Sequence, residues 1–208
     1  MPQRDRTRSS FLIGLAAVAA LVAAPARPAE PQASARSLAG QVLVATQEMQ
    51  DPRFAGAVIY MVRHDETGAL GVVVNRPLRD VSLALLLQQT GIDSKGAQGT
   101  VRLHAGGPVE TRRIFVLHTA DYTSDSTVSG KNGIALTWEP DILRAIADGK
   151  GPRRVLFAVG YAGWGSGQLD AEMKAGVWVR ASADEALIFD SDYDTKWDRA
   201  MSRRKIDL

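Results

Sequence analysis

The 208-residue sequence has no cysteine, which excludes disulfides, thiolate metal ligands and cysteine nucleophiles together. Histidine is scarce as well. Only His64, His104 and His118 occur, none in i, i+4 spacing or an H-E-x-x-H context, so a histidine-based metal centre is not indicated. No metal and no cofactor is expected. The charge-free apolar stretch Phe11 to Ala24 falls short of the roughly 18 to 20 residues that a membrane-spanning helix needs. A chain without disulfides must be held by its core, and the composition permits one: 45% of residues are hydrophobic and 23% charged, near the globular average. The length suits one domain and is short for two.

Residues 1–35 read as a targeting segment. Arg4, Arg6 and Arg8 precede the apolar stretch, and small residues and prolines follow it, with Ala24-Pro-Ala26 and Ala33-Ser-Ala35 as candidate cleavage sites. This is the layout of a secretory signal peptide. A twin-arginine signal fits less well, because Ser9 stands where the second arginine belongs. An uncleaved anchor or a mis-assigned start codon are the alternatives. Without this segment Lys+Arg falls from 25 to 21 and Asp+Glu from 23 to 21, so the net charge goes from +2 to 0. A neutral domain has no net field to draw it to phosphate backbones. The remaining basic runs, Arg112-Arg113, Lys150 to Arg154 and Arg203-Arg204-Lys205, read as solvated faces.

Along residues 36–208, Gln41 to Ala45, Ala57 to Val62 and Leu70 to Val74 read as strands, the last two joined as a hairpin through turn residues at 64–68. Val81 to Thr90 reads as a buried helix stopped at Gly91. Val101 to His104, Ile114 to His118, Gly133 to Thr137 and Arg154 to Val159 are further strands, and 121–131 is an exposed loop. Pro140 suits the first turn of a helix ending near Gly149. Val177 to Arg180 and Ala186 to Phe189 are the last apolar runs, and Thr195 to Met201 closes the chain as a helix. Strands outnumber helices without regular alternation, which predicts an α+β fold rather than a doubly wound parallel sheet.

The most unusual stretch is Gly160-Tyr-Ala-Gly-Trp-Gly-Ser-Gly-Gln-Leu-Asp-Ala-Glu172, which reads as a glycine-rich turn between a strand and a helix. A Walker loop would need Lys-Ser or Lys-Thr after its last glycine, and Gly167 is followed by Gln168. A nucleophile elbow would need glycines two places either side of Ser166, where Trp164 and Gln168 stand. Ser166 is therefore read as part of a flexible turn or as a helix cap. His104 precedes Gly106-Gly107-Pro108, whose amides could form an oxyanion-type pocket beside the imidazole; the alternative is a structural histidine. His64, beside Asp65 and Glu66, reads as exposed. Arg76, after Asn75, could clamp a carboxylate or phosphate with its planar fork, or stand free at a turn.

Taken in order, Gln41 to Thr46, Asp51-Pro-Arg-Phe54, Gly68 to Pro77, His104-Ala-Gly-Gly-Pro-Val109, Phe115 to His118 and Gly160 to Asp170 resemble the YqgE/AlgH family of bacterial proteins. The resemblance implies one α+β domain in which a bifurcated, partly barrel-like sheet is surrounded by helices. It implies no established enzymatic activity. One branch is named for regulating alginate production, and a transcriptional-regulator label is common, yet no DNA-reading helix-turn-helix is visible here and the neutral charge argues against direct DNA binding. Most relatives look cytoplasmic, whereas residues 1–35 point to the periplasm or to secretion. The expectation is that Asn75, Arg76, His104, Gly106, Gly107, Tyr161, Trp164 and Gly165 converge on one shallow pocket for a small anionic ligand or a protein partner. The favoured function is a non-enzymatic binding module; a cytosolic regulator and an enzyme using His104 as general base are the alternatives.

Overall fold

The architecture is organised by its longest glycine-rich strand. The computed structural model describes residues 37–205, so the targeting segment expected at 1–35 lies outside the described residues. In chain order the elements are β1 (Gln41–Ala45), β2 (Val58–Asp65), β3 (Gly68–Val73), β4 (Pro77–Ser82), α1 (Leu83–Gln89), β5 (Thr100–Ala105), β6 (Val109–Thr119), β7 (Val128–Ser129), β8 (Ile134–Thr137), α2 (Asp141–Ala147), β9 (Val155–Gly165), α3 (Gln168–Lys174), β10 (Trp178–Ser182), α4 (Glu185–Phe189) and α5 (Tyr193–Ser202). One edge of β9 pairs with β6. The other edge has two partners in succession: β5, parallel, from Leu103↔Phe157 to Ala105↔Val159, and then β3, antiparallel, from Gly71↔Ala162 to Gly68↔Gly165. The sheet forks there.

Gly106 sits in the crotch of the fork, donating its N–H to the Val159 carbonyl and accepting from the Val73 N–H. A Cβ on Gly106 would lie 2.2 Å from the Gly160 carbonyl oxygen, and one on Gly107 2.1 Å from the Tyr161 carbonyl carbon. Only glycine lets the two backbones approach so closely. Gly160, with φ of +72°, faces the bulge of β6 between Val109 and Ile114, and the alternation of β9 shifts there. Before it Leu156 and Ala158 face inward; after it Tyr161 does, and Ala162 and Trp164 face outward.

The sheet runs β10-β1-β2-β3-β9-β6-β8-β7 and curls until the β7–β8 turn reaches β2 and the start of β1. Asn132 in the β7–β8 turn donates to the Gly40 carbonyl at 2.6 Å, and the Tyr60 hydroxyl donates to the Lys131 carbonyl at 2.7 Å. Val44, Val58, Tyr60, Val72, Phe115, Leu136 and Leu156 fill the inside of the curl, closed by Leu187, Ile188 and Ala200 of α4 and α5. On the outside, Leu83, Leu86 and Leu87 of α1, at helical spacing, pack with Ile142 and Leu143 of α2 on Leu103, Val116 and Phe157. A second outer cluster places Leu169 of α3 over Leu43, Ile59, Met61 and Val73. Because β1 and β2 are covered on both faces, they read as unbroken apolar runs. The result is a single α+β domain with a bifurcated half-barrel sheet and helices around it.

Several local readings are corrected. The glycine-rich stretch is not a turn from Gly160 onward: β9 continues through Gly165, and only Ser166 and Gly167 turn the chain. Ser166 is not the cap of α3. Its hydroxyl donates to the Glu66 carbonyl at 2.7 Å, tying α3 to the β2–β3 hairpin, and Gly167 at φ +70° takes the cap position. Pro140 stands at the cap of α2 rather than inside its first turn. The 121–131 loop contains β7, paired with β8 across a turn at Asn132 and Gly133 with positive φ, as the hairpin preference of Asn-Gly dictates. The apolar run Ala186 to Phe189, assigned no element from sequence, is helical, with Asp184 accepting the Leu187 N–H at 2.7 Å.

The fork makes unequal demands on its glycines. Gly107→Ala should lower stability by at least about 3 kcal/mol or prevent folding, because the added carbon meets main chain. Gly165→Ala meets nothing within 4 Å and should change stability by less than about 0.5 kcal/mol. Urea unfolding of the two variants checks this, and equal effects would show that the fork does not depend on close approach.

Candidate functional site

The expected residues do not converge on one pocket: Trp164 lines one cleft, His104 lines a second that shares no lining residue with it, and Asn75, Arg76, Gly106, Gly107, Tyr161 and Gly165 line neither. The first, about 330 Å³, is walled by Trp164 at the end of β9, by Gln168 and Glu172 of α3, by Pro108 and Val109, and by Met49, Asp51, Arg53 and Phe54 from the loop between β1 and β2. Phe54 stacks on Trp164 with ring centroids 6.4 Å apart, and Trp178 meets both rings edge-on at 5.6 and 6.1 Å. Both indoles donate to the same carboxylate oxygen: Trp164 Nε1 and Trp178 Nε1 each lie 2.8 Å from Glu172 Oε2, while Gln168 Nε2 donates to Oε1 at 2.9 Å. Trp164 is 7% exposed and lines the cleft; Trp178, at 2%, is sealed behind it.

Asn75 and Arg76 serve this cleft indirectly. Arg76 donates to the Arg53 carbonyl and, at 2.7 Å, to the Ala55 carbonyl. Asn75 accepts from Val58 N–H at 2.9 Å and donates to the Gly56 carbonyl at 2.8 Å. Together they fasten the loop that presents Phe54. The expected anion clamp at Arg76 is therefore corrected: its guanidinium is already engaged by loop carbonyls, and the Gly106 amide that was to join it is bonded to Val159. Gly165 N–H is held by Gln168 Oε1 at 3.1 Å.

The second cleft, about 240 Å³, lies between β5, the start of β9 and the α4–α5 junction, and includes His104, Arg102, Phe189, Asp190 and Tyr193. His104 Nδ1 is 3.1 Å from the Phe157 carbonyl; a carbonyl only accepts, so Nδ1 carries the proton and Nε2 the lone pair. That Nε2 is buried and has no partner among the described residues, and the Tyr193 ring stands edge-on 5.2 Å away. Beneath it the fully buried Lys196 ammonium donates to the Ile188 and Asp190 carbonyls and pairs with Asp190. Tyr161 belongs to neither cleft: it packs edge-on against Phe115 at 5.3 Å.

Residues 42–208 match the AlgH-like family. The chain belongs to that family. A UPF0301 protein of Rhodospirillum rubrum is 49% identical over 170 residues, covering 82% of this chain and 88% of the relative; a UPF0301 protein of Caulobacter vibrioides is 45% identical over 168 residues, covering 80% and 86%. The solution structure of the AlgH protein from Pseudomonas aeruginosa superposes with a TM-score of 0.70 at 36% identity, covering 84% of this chain and 92% of that one. A protein of Corynebacterium diphtheriae shares the fold at a TM-score of 0.61 and 22% identity, over 81% and 87% of the two chains.

In this AlgH-like chain all three histidines are buried. His64, expected to be exposed, accepts the Leu38 N–H through Nδ1 at 3.2 Å and points Nε2 at Asp170, 3.8 Å away; the short β2–β3 turn leaves it beneath the chain entering β1. His118 bonds the Thr119 carbonyl and the Thr137 hydroxyl, each at 2.8 Å. Burial pushes His104 and His118 below the ordinary imidazole value, and their backbone hydrogen bonds offset this only in part. Glu172, Phe54, Trp178 and Tyr193 were not among the expected site residues. Gln168 and Glu172 stand at i, i+4 on α3, a spacing that places them on one helix face but does not by itself reveal the indoles that Glu172 meets.

Because both groups titrate lower when folded, the unfolded chain binds more protons as pH falls through about 6.5, and stability falls with it. His104→Phe keeps a packed ring and removes one of these groups. Its stability should depend less steeply on pH between about 5 and 7 than that of the parent, as measured by urea midpoints. Parallel curves would show that His104 does not contribute.

Proposed function

We propose that this AlgH-like protein is a non-enzymatic binding module of the cell envelope that seats a small ligand or a segment of a partner in the Trp164 cleft, with any regulatory effect indirect. The observation that carries this is the aromatic wall itself. Phe54 and Trp164 form a half-open stacked pair, and Asn75 and Arg76 hold the loop bearing Phe54 in place. A concave surface on which aromatic side chains meet fixed polar groups can seat a ligand. Membership of the envelope rests on the character of residues 1–35, and the zero net charge of the remainder supports a role away from nucleic acid. The enzymatic reading draws less support: His104 is oriented by a carbonyl rather than a carboxylate, and Asp190, the acid nearest in the same cleft, is engaged by Lys196 and Arg199.

Fractionation of the native host should place the protein in the periplasm, beginning near Arg27 or Arg36. Native mass spectrometry of that material should show an added mass that is lost from Phe54→Ala. A full-length cytosolic species would remove the envelope assignment, and an added mass retained by Phe54→Ala would remove the cleft.

A further inference from the structure

We infer that the Trp164 cleft recognises a cationic group on an apolar stem, an ammonium or guanidinium such as a lysine or arginine side chain of a partner. The inference rests on the cleft being the ligand site and adds the chemistry of what enters it. Glu172 is half-buried and makes three hydrogen bonds, all from neutral donors: the Trp164 and Trp178 indoles and the Gln168 amide. No lysine, arginine or histidine pairs with it among the described residues. A carboxylate offers about four acceptor positions, so one stays open, on Oε1, with its charge uncompensated. Partly buried charges ordinarily have a partner of opposite sign.

The other charges of the cleft do not supply that partner. Asp51 and Arg53 lie 2.7 Å apart and compensate each other, so the lining carries one net negative charge, on Glu172. An apolar stem on the cation would run along Phe54 and Val109. An anionic ligand would meet the Glu172 carboxylate, while the Arg76 guanidinium is turned to the Arg53 and Ala55 carbonyls and the Gly106 amide is bonded to Val159.

Three probes of equal length separate charge from shape: pentylammonium, pentanol and pentanoate, each titrated while the indole N–H resonances of Trp164 and Trp178 are followed by NMR. Pentylammonium should shift both saturably and bind at least tenfold more tightly than pentanol, and pentanoate should not bind. Glu172→Gln retains an acceptor oxygen for the indoles and removes the charge; it should weaken pentylammonium at least tenfold and leave pentanol unchanged. If pentanol matches pentylammonium, or Glu172→Gln leaves pentylammonium binding unaltered, the cation inference is overturned while the cleft stands. If none of the three probes moves either indole, the cleft and the cation fall together.

Discussion

The close approach of two main chains, Gly106-Gly107 against Gly160-Tyr161, is the constraint on which the rest depends. β9 can hold β5 and β3 on the same edge only because no side chain intrudes between them. The left-handed turn at Gly160 then shifts the strand's alternation, so the first half of β9 packs Phe157 under α1 and α2 while the second half presents Trp164 to α3. One strand thereby belongs to two outer layers and to the inner core. Both clefts lie beside it, one at each half.

Two carboxylates show contrasting ways of living at the edge of this core. Asp190 is partly buried, which alone would raise its carboxyl, but the Arg199 hydrogen bonds and the Lys196 charge outweigh burial and hold it below its ordinary value. That closed set fastens α4 to α5. Burial lowers Lys196 in turn, with Asp190 opposing the shift. Glu172 has hydrogen bonds without a counter-charge. Its geometry is fixed by two indoles that are themselves locked by Phe54, so the oxygen facing the cleft is held on a rigid support rather than on a mobile surface arm.

Much of the fold was legible because strand signals are local. The apolar runs in β1, β2, β3 and β8 and the spacing of Leu83, Leu86 and Leu87 depend on neighbours in sequence. The bifurcated half-barrel was legible only through family resemblance, since the fork is a contact between glycines far apart in the chain. β4 went unread: its Pro77-Leu-Arg-Asp-Val-Ser82 segment is exposed nearly throughout and has no apolar alternation to betray it. The glycines of β9 read as a turn because glycine normally marks one, whereas here Gly160 marks neighbouring backbone. At the site, Trp164 was found from its setting, but Glu172 could not be, because the indoles that define it lie on two different strands. Arg76 was noticed for a fork that could hold an anion, and carbonyls of its own chain occupy that fork.

The order of strands in the sheet also sets when the molecule can come into being. β1, the first strand described, lies between β2 and β10, in register from Gln41↔Ser182 to Ala45↔Trp178. β3 likewise waits for the far half of β9. Neither early strand has its full set of partners until the chain is nearly complete, and closing such long loops is entropically costly until those contacts form. The protein is built to fold as a whole and late, once β9 and β10 have emerged to receive β3 and β1.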